Sequence, residues 1–166
     1  MLLKQKTKKI LFLHGWLSTG ESKTFFLKCL GFDVSTPVLN NWLFQDAVKN
    51  AQETFDKFNP DLVVGSSRGG AVALNINSGN TPLILLAPAW KYFGSVDRAE
   101  KSNIIVIHSA ADTMIRHQDS IAFVDRSASG IKLVTAGNDH RLNCTEGQKE
   151  LRNAILELLQ LVEQPN

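Results

Sequence analysis

The sequence predicts an α/β fold, a three-layer α/β/α sandwich with a mostly parallel sheet of about six strands. Three observations carry this reading. Short apolar runs alternate with helical patterns along the chain, no linker rich in Ser, Gly or Pro interrupts them, and there is no internal repeat or low-complexity stretch. With 166 residues, 43% hydrophobic and 20% charged, the chain suits one sizeable core and is short for two. A single domain over residues 1–166 is expected.

The elements follow in order. Lys4, Lys6, Lys8 and Lys9 precede the first strand, expected at Ile10–His14. They read as a solvated tail, because no aromatic residues interleave with them and no second basic cluster supports nucleic acid. A short helix around Ser22–Leu30 should stop at Gly31, where a left-handed residue is accommodated. A second strand is expected at Phe32–Thr36. Phe44, Ala47, Val48, Ala51, Phe55 and Phe58 then recur at steps of three and four, one face of an amphipathic helix that Asn59-Pro60 ends. Further strands are expected at Leu62–Gly65, Leu83–Leu86, Ile104–His108 and Lys132–Thr135. The last helix has an apolar stripe of Leu151, Ile155, Leu158, Leu159 and Val162, with Thr145 and Gln148 at capping-box spacing.

Composition narrows the function classes. A net charge of +2 gives no reason to expect nucleic acid as a partner. Cys29 and Cys144 are the only cysteines and form no CxxC or His-rich pattern, so neither a disulfide framework nor a metal site is expected. The start MLLKQKTKK lacks the apolar core of a signal peptide, and no apolar run approaches the roughly 20 residues of a membrane span. The expected location is the cytoplasm, without membrane partners.

The chemistry concentrates at Gly65-Ser66-Ser67-Arg68-Gly69, where an apolar strand pattern turns into a helical one. The segment fits G-x-S-x-G in one frame, with Ser67 at the centre and Ser66 as a packing residue beneath it. Glycines on both sides relieve crowding at so tight a turn and let one serine project. Gly-rich strand-to-helix turns also bind phosphates, but no Gly-Lys-Ser/Thr of a P-loop follows here. A serine hydroxyl needs a base to take its proton, and the base needs a carboxylate to orient it. Asp112 follows the strand at Ile104–His108, and His140 follows the strand at Lys132–Thr135.

Four segments, LFLHGW (11–16), GSSRGG (65–70), HSAADTMI (108–115) and GNDHRL (137–142), arrive in an order that resembles the α/β-hydrolase superfamily. The resemblance implies a minimal α/β-hydrolase fold that lacks the family's first two strands and a cap. It implies Ser67 as nucleophile, Asp112 as the acid and His140 as the general base. The backbone N–H groups of Trp16 and Arg68 would form the oxyanion hole. No cofactor or metal is implied.

The neighbours of these residues have competing readings. Asp97 occupies a place some hydrolases use for the acid, while Asp139 reads as a solvated loop residue. His14 is expected to brace the oxyanion loop, His108 to satisfy a backbone group, and His117 to begin a surface helix. The Arg68 guanidinium either contacts an anionic substrate or pairs with a carboxylate such as Glu21. Trp16, Trp42 and Trp90 either line an acyl pocket or pack in the core, and Trp90, Tyr92 and Phe93 are the expected substrate wall. The expected function is a serine hydrolase acting on carboxylic esters or thioesters, with a small-molecule acyl substrate. A ligand-binding or protein-interaction module on the same scaffold stays open, as do peptidase and acyltransferase.

Overall fold

The computed structural model describes residues 6–160; Lys4 of the basic tail and Val162 of the last apolar stripe lie outside them. The elements are β1 (Lys9–Leu13), α1 (Glu21–Cys29), β2 (Asp33–Ser35), α2 (Phe44–Phe58), β3 (Leu62–Ser66), α3 (Arg68–Asn75), β4 (Leu83–Leu86), β5 (Ile104–His108), α4 (His117–Arg126), β6 (Lys132–Thr135) and α5 (Thr145–Leu158). The strands form one six-stranded sheet in the order β2-β1-β3-β4-β5-β6, and every pair is parallel.

Alternation along the strands separates two apolar layers. Leu11, Leu13, Val63, Leu85, Val106 and their neighbours on one face pack with Ala47 and Ala51 of α2, Val72 of α3 and Phe123 of α4. Ile10, Phe12, Val64, Ile84 and Ile107 on the other pack with Leu27 of α1 and Leu151, Ala154 and Ile155 of α5. Each fully buried aliphatic side chain contributes about 1.5–3 kcal/mol, which explains why the strand runs are apolar on both faces.

Local signals end the helices as expected. Asn59 turns left-handed (φ 50°) after α2 and donates its N–H to Phe55 O. Gly31 does so after α1 (φ +90°) and donates to Lys28 O. The capping box does not form. Cys144 is the N-cap of α5, so Thr145 already lies inside the first turn and makes no side-chain cap. Gln148 donates its N–H to Cys144 O instead. The connection from β4 to β5 contains no helix, so no cap covers the sheet edge there.

The tightest packing lies where α3 crosses the sheet. A Cβ on Gly69 would stand 2.0 Å from Leu13 O, and one on Gly65 would stand 2.5 Å from Gly69 O. Both contacts are with backbone, which cannot swing aside. Glycine at these two positions is therefore a steric requirement of seating α3 against β1 and β3. Gly69→Ala should destabilise the protein by about 3 kcal/mol or more, because α3 must lift from the sheet. Urea denaturation checks this; a loss below about 1 kcal/mol would show that the helix can move cheaply.

Candidate active site

The loops that leave the carboxyl ends of the parallel strands carry all the chemistry the sequence singled out. Ser67 follows β3 with φ 54° and ψ −118°, backbone angles that L-residues rarely adopt. Such a residue costs about 1–3 kcal/mol and persists only where its surroundings enforce it. Here they do. Ser67 donates its N–H to Leu86 O (2.8 Å) on β4, and its carbonyl accepts from Gly70 N and Ala89 N, both at 3.0 Å. Leu17, Ala87 and Leu142 also have positive φ in loops on this edge. Strain has collected where the side chains must be aimed.

The loop after β1 lies beside the serine: a Cβ on Gly15 would meet Ser67 Cβ at 3.4 Å. His14 holds this loop from inside the fold. Its Nδ1 donates to Gly15 O (2.9 Å), and its Nε2 accepts the Leu39 N–H (3.3 Å). Leu17 N donates to Asn41 Oδ1, tying the loop to the one after β2. The N–H groups of Trp16 and Arg68 have no partner among the described residues. The Arg68 N–H also lies at the N-terminus of α3, where the helix dipole favours developing negative charge.

Asp112 and His140 come together although 28 residues separate them: His140 Nδ1 donates to Asp112 Oδ2 at 2.6 Å. The carboxylate is fully buried, whereas the imidazole remains 13% exposed. Oδ1 of Asp112 accepts the N–H groups of Met114 (2.8 Å) and Ile115 (2.9 Å). Burial alone would push this carboxyl up. Hydrogen bonds from His140 and from the two backbone donors outweigh it and hold the group below the usual carboxylate range. Ser67 Oγ and His140 Nε2 are not joined by a hydrogen bond.

A buried lysine holds the histidine loop. Lys23 of α1 donates through Nζ to Arg141 O, Leu142 O and Asn143 Oδ1. Burial lowers its pKa to about 8, against the opposing pull of Asp139 and Cys144. Asp139 accepts the Leu142 N–H, so its carboxylate shapes the loop rather than reaching the His140 ring. Asp97, the rival for the acid, lies in an exposed contact with Arg126.

Several expectations need correction. Trp90 is 7% exposed, tilted against Phe123, and its Nε1 donates to Asp119 O (3.0 Å). It belongs to the core under α4 and not to a substrate wall. Tyr92 is exposed, and Phe93 stacks on Phe44. The exposed aromatic residues on this edge are Trp16, Trp42 and Tyr92. Arg68 makes no pair with Glu21. The residue is 1% exposed, and its guanidinium contacts the Phe44 and Phe93 rings at 5.5 and 5.4 Å and donates through Nη2 to Asn40 O (2.6 Å). It thereby braces the loop after β2, which in turn holds Leu17.

Two residues escaped the sequence reading. No pattern marks Lys23, a charge that meets its partners about 120 residues later. The expected backbone contact of His108 is present, to Ile115 O (3.1 Å), but its Nε2 also lies 2.9 Å from Asp112 Oδ2, a contact the sequence does not predict. Its position four residues before Asp112 was the available signal.

No family model matches the sequence, and no curated protein matches it. Solved structures do. Alpha/beta hydrolase domain-containing protein 10 from mouse is similar with a TM-score of 0.76 at 17% identity, covering 95% of this chain and 92% of that one. An esterase from Exiguobacterium antarcticum is similar with a TM-score of 0.71 at 10% identity, covering 93% and 92%. A monoacylglycerol lipase from Paleococcus ferrophilus gives 0.70 at 12%, covering 93% and 96%. At such identities the likeness is one of fold.

The Lys23 clamp generates a prediction. Lys23→Met should speed amide hydrogen exchange across residues 140–143 and misplace the imidazole. Its unfolded pKa, near 10.5, exceeds the folded value of about 8. The unfolded chain therefore binds more protons between those values, and wild-type stability should rise relative to Lys23→Met as pH climbs through that window. Equal exchange rates and parallel stability curves in the two proteins would show that Lys23 does not hold the loop.

Proposed function

The chain has the α/β-hydrolase fold, and on that fold we propose a serine hydrolase that cleaves carboxylic esters or thioesters through an acyl-enzyme. The observation that carries this reading is the bond from His140 Nδ1 to the buried Asp112 carboxylate, on the same sheet edge as a serine in strained backbone. Asp112 selects the tautomer with the proton on Nδ1, which leaves Nε2 with a lone pair for the Ser67 proton.

Ser67 Oγ attacks the carbonyl carbon as its proton passes to His140 Nε2. The N–H groups of Trp16 and Arg68 receive the oxyanion, and the Asp112 charge stabilises the imidazolium. Collapse expels the alcohol or thiol, which takes the proton from His140. Water, deprotonated by the same nitrogen, then releases the acid. The missing bond between Ser67 and His140 is consistent with this scheme, since catalytic hydrogen bonds tighten once substrate occupies the site.

The acyl wall consists of Tyr92 and Phe93, joined by Trp16 and Trp42, the latter 81% exposed. A sheet edge without a cap excludes little water and grips a long chain weakly. A cavity of about 480 Å³ does exist, but it opens beside Leu83 and Ile104, the first residues of β4 and β5, at the opposite end of the sheet.

Ser67→Ala should lower kcat/KM on the order of 10³-fold or more and abolish labelling by a fluorophosphonate, while Ser66→Ala stays active. The acid limb of kcat/KM that a general base produces should vanish in His140→Gln. Unlabelled wild-type protein would favour a binding module on this scaffold. Among p-nitrophenyl esters from acetate to palmitate, short chains should react best, with no jump in rate at the solubility limit. Preference for palmitate, or activation by an emulsion, would mean that the exposed rim closes over long chains.

A further inference from the structure

We propose that His108 is a positioning residue for the hydrolytic site: its Nε2–H shares the Asp112 carboxylate with His140, so a Ser120–His108–Asp112–His140 chain sets the orientation and basicity of the general base. The proposal rests on the serine hydrolase reading for its catalytic meaning. Its geometry stands independently.

The His108 side chain is fully buried at the end of β5. Nε2 faces two atoms that only accept, Asp112 Oδ2 at 2.9 Å and Ile115 O at 3.1 Å, so the ring proton resides there. Nδ1 therefore presents its lone pair to Ser120 Oγ, 2.7 Å away on α4, and the serine O–H donates. Burial pushes the imidazole below its usual pKa despite the adjacent carboxylate, so the neutral form is the one held. Ser120, itself buried, acts as a lock on the tautomer.

This completes the coordination of Asp112. Two imidazole N–H groups converge on Oδ2 and two backbone N–H groups on Oδ1, so each oxygen accepts two donors. A carboxylate held by four donors cannot rotate, and the His140 ring inherits that orientation. The electrostatic consequence has a definite sign. A donor on Oδ2 withdraws negative potential from the second imidazole, so removing that donor should move the acid limb of the rate upward.

The backbone of His108 contributes as well. Its carbonyl accepts the Ala136 N–H (3.2 Å), joining β5 to the strand whose following loop carries His140. The preceding residues on the same face of β5, Ile104 and Val106, are apolar and pack under α4. An aliphatic residue at 108 would continue that packing without desolvating an imidazole.

The titratable groups around the chain are few. His117, at the start of α4, meets the His108 ring edge-on with centroids 5.4 Å apart, and its Nε2 bonds Thr135 Oγ1. Asp119, beside Ser120 on α4, pairs with Lys91 instead. Asp139 and Arg141 flank His140 in its own loop.

The test compares His108→Leu, which removes the donor, with His108→Gln, which returns an N–H on a longer arm, and with Ser120→Ala, which removes only the tautomer lock. The acid limb of kcat/KM should move up by on the order of half to one pH unit in His108→Leu, with kcat lowered about tenfold and KM little changed. His108→Gln should recover much of both, and Ser120→Ala should shift in the same direction by less. Titration of the His140 ring by NMR in a Ser67→Ala background reads the same shift without any substrate. If His108→Leu fails to fold, Ser120→Ala decides. A His140 midpoint at the wild-type value in Ser120→Ala and in any His108→Leu that folds, or a loss of stability without any shift, overturns the proposal. An acid limb that survives His140→Gln defeats the catalytic assignment instead, and the NMR titration still judges the hydrogen-bond chain.

Discussion

The approach of α3 to the sheet is the contact on which the site depends. Gly69 lies so close to the end of β1 that no side chain fits between them, and Gly65 lies too close to the first turn of the helix for a side chain there. With the helix seated there, the chain must reverse within one residue after β3. That residue is Ser67, and its unusual backbone angles follow from the reversal. The same seating leaves the Arg68 N–H unpaired at the helix start and brings the loop after β1 alongside the serine. One steric constraint thus sets the position of the hydroxyl, a hydrogen-bond donor and the adjoining loop.

The rest of the edge is held by charged groups taken out of water. Asp112 is satisfied by four donors, Lys23 by three acceptors in the histidine loop, and Arg68 by a carbonyl and two aromatic rings. Burying a charge costs several kcal/mol, and pairing it recovers this only when the geometry is good. Such groups add less to stability than to uniqueness, because each loop has one arrangement that satisfies its ion. The arrangement matters because the loops have no helices or strands of their own. Nε and Nη1 of Arg68 remain buried without a partner among the described residues, which makes that brace the costliest of the three.

Much of this was legible in the chain. The four central strands were readable because their apolar runs are short and buried on both faces, and α2 matched its periodic stripe from Phe44 to Phe58. Ser67, Asp112 and His140 stood out because their loops follow strands in an order that puts them on one edge. The readings that failed concern packing. Trp90 follows β4 at the right edge, but nothing in the sequence says that its indole turns beneath α4 toward Asp119. The capping box at Thr145 failed by a single residue, the usual scale of error for a helix end.

The sequence by itself determined the parallel sheet, the glycine-flanked corner and the candidate nucleophile, acid and base, since periodicity and turn chemistry are local and act within a few residues. Only the tertiary structure decided which charges meet. Lys23 reaches a loop near residue 142, and His140 crosses from the edge strand to a carboxylate that His108 already holds. Those contacts join positions far apart in the chain, and their energies depend on burial and on angles that exist only once the sheet has assembled. A buried ion is defined by everything around it, so its partner cannot be read from the residues beside it.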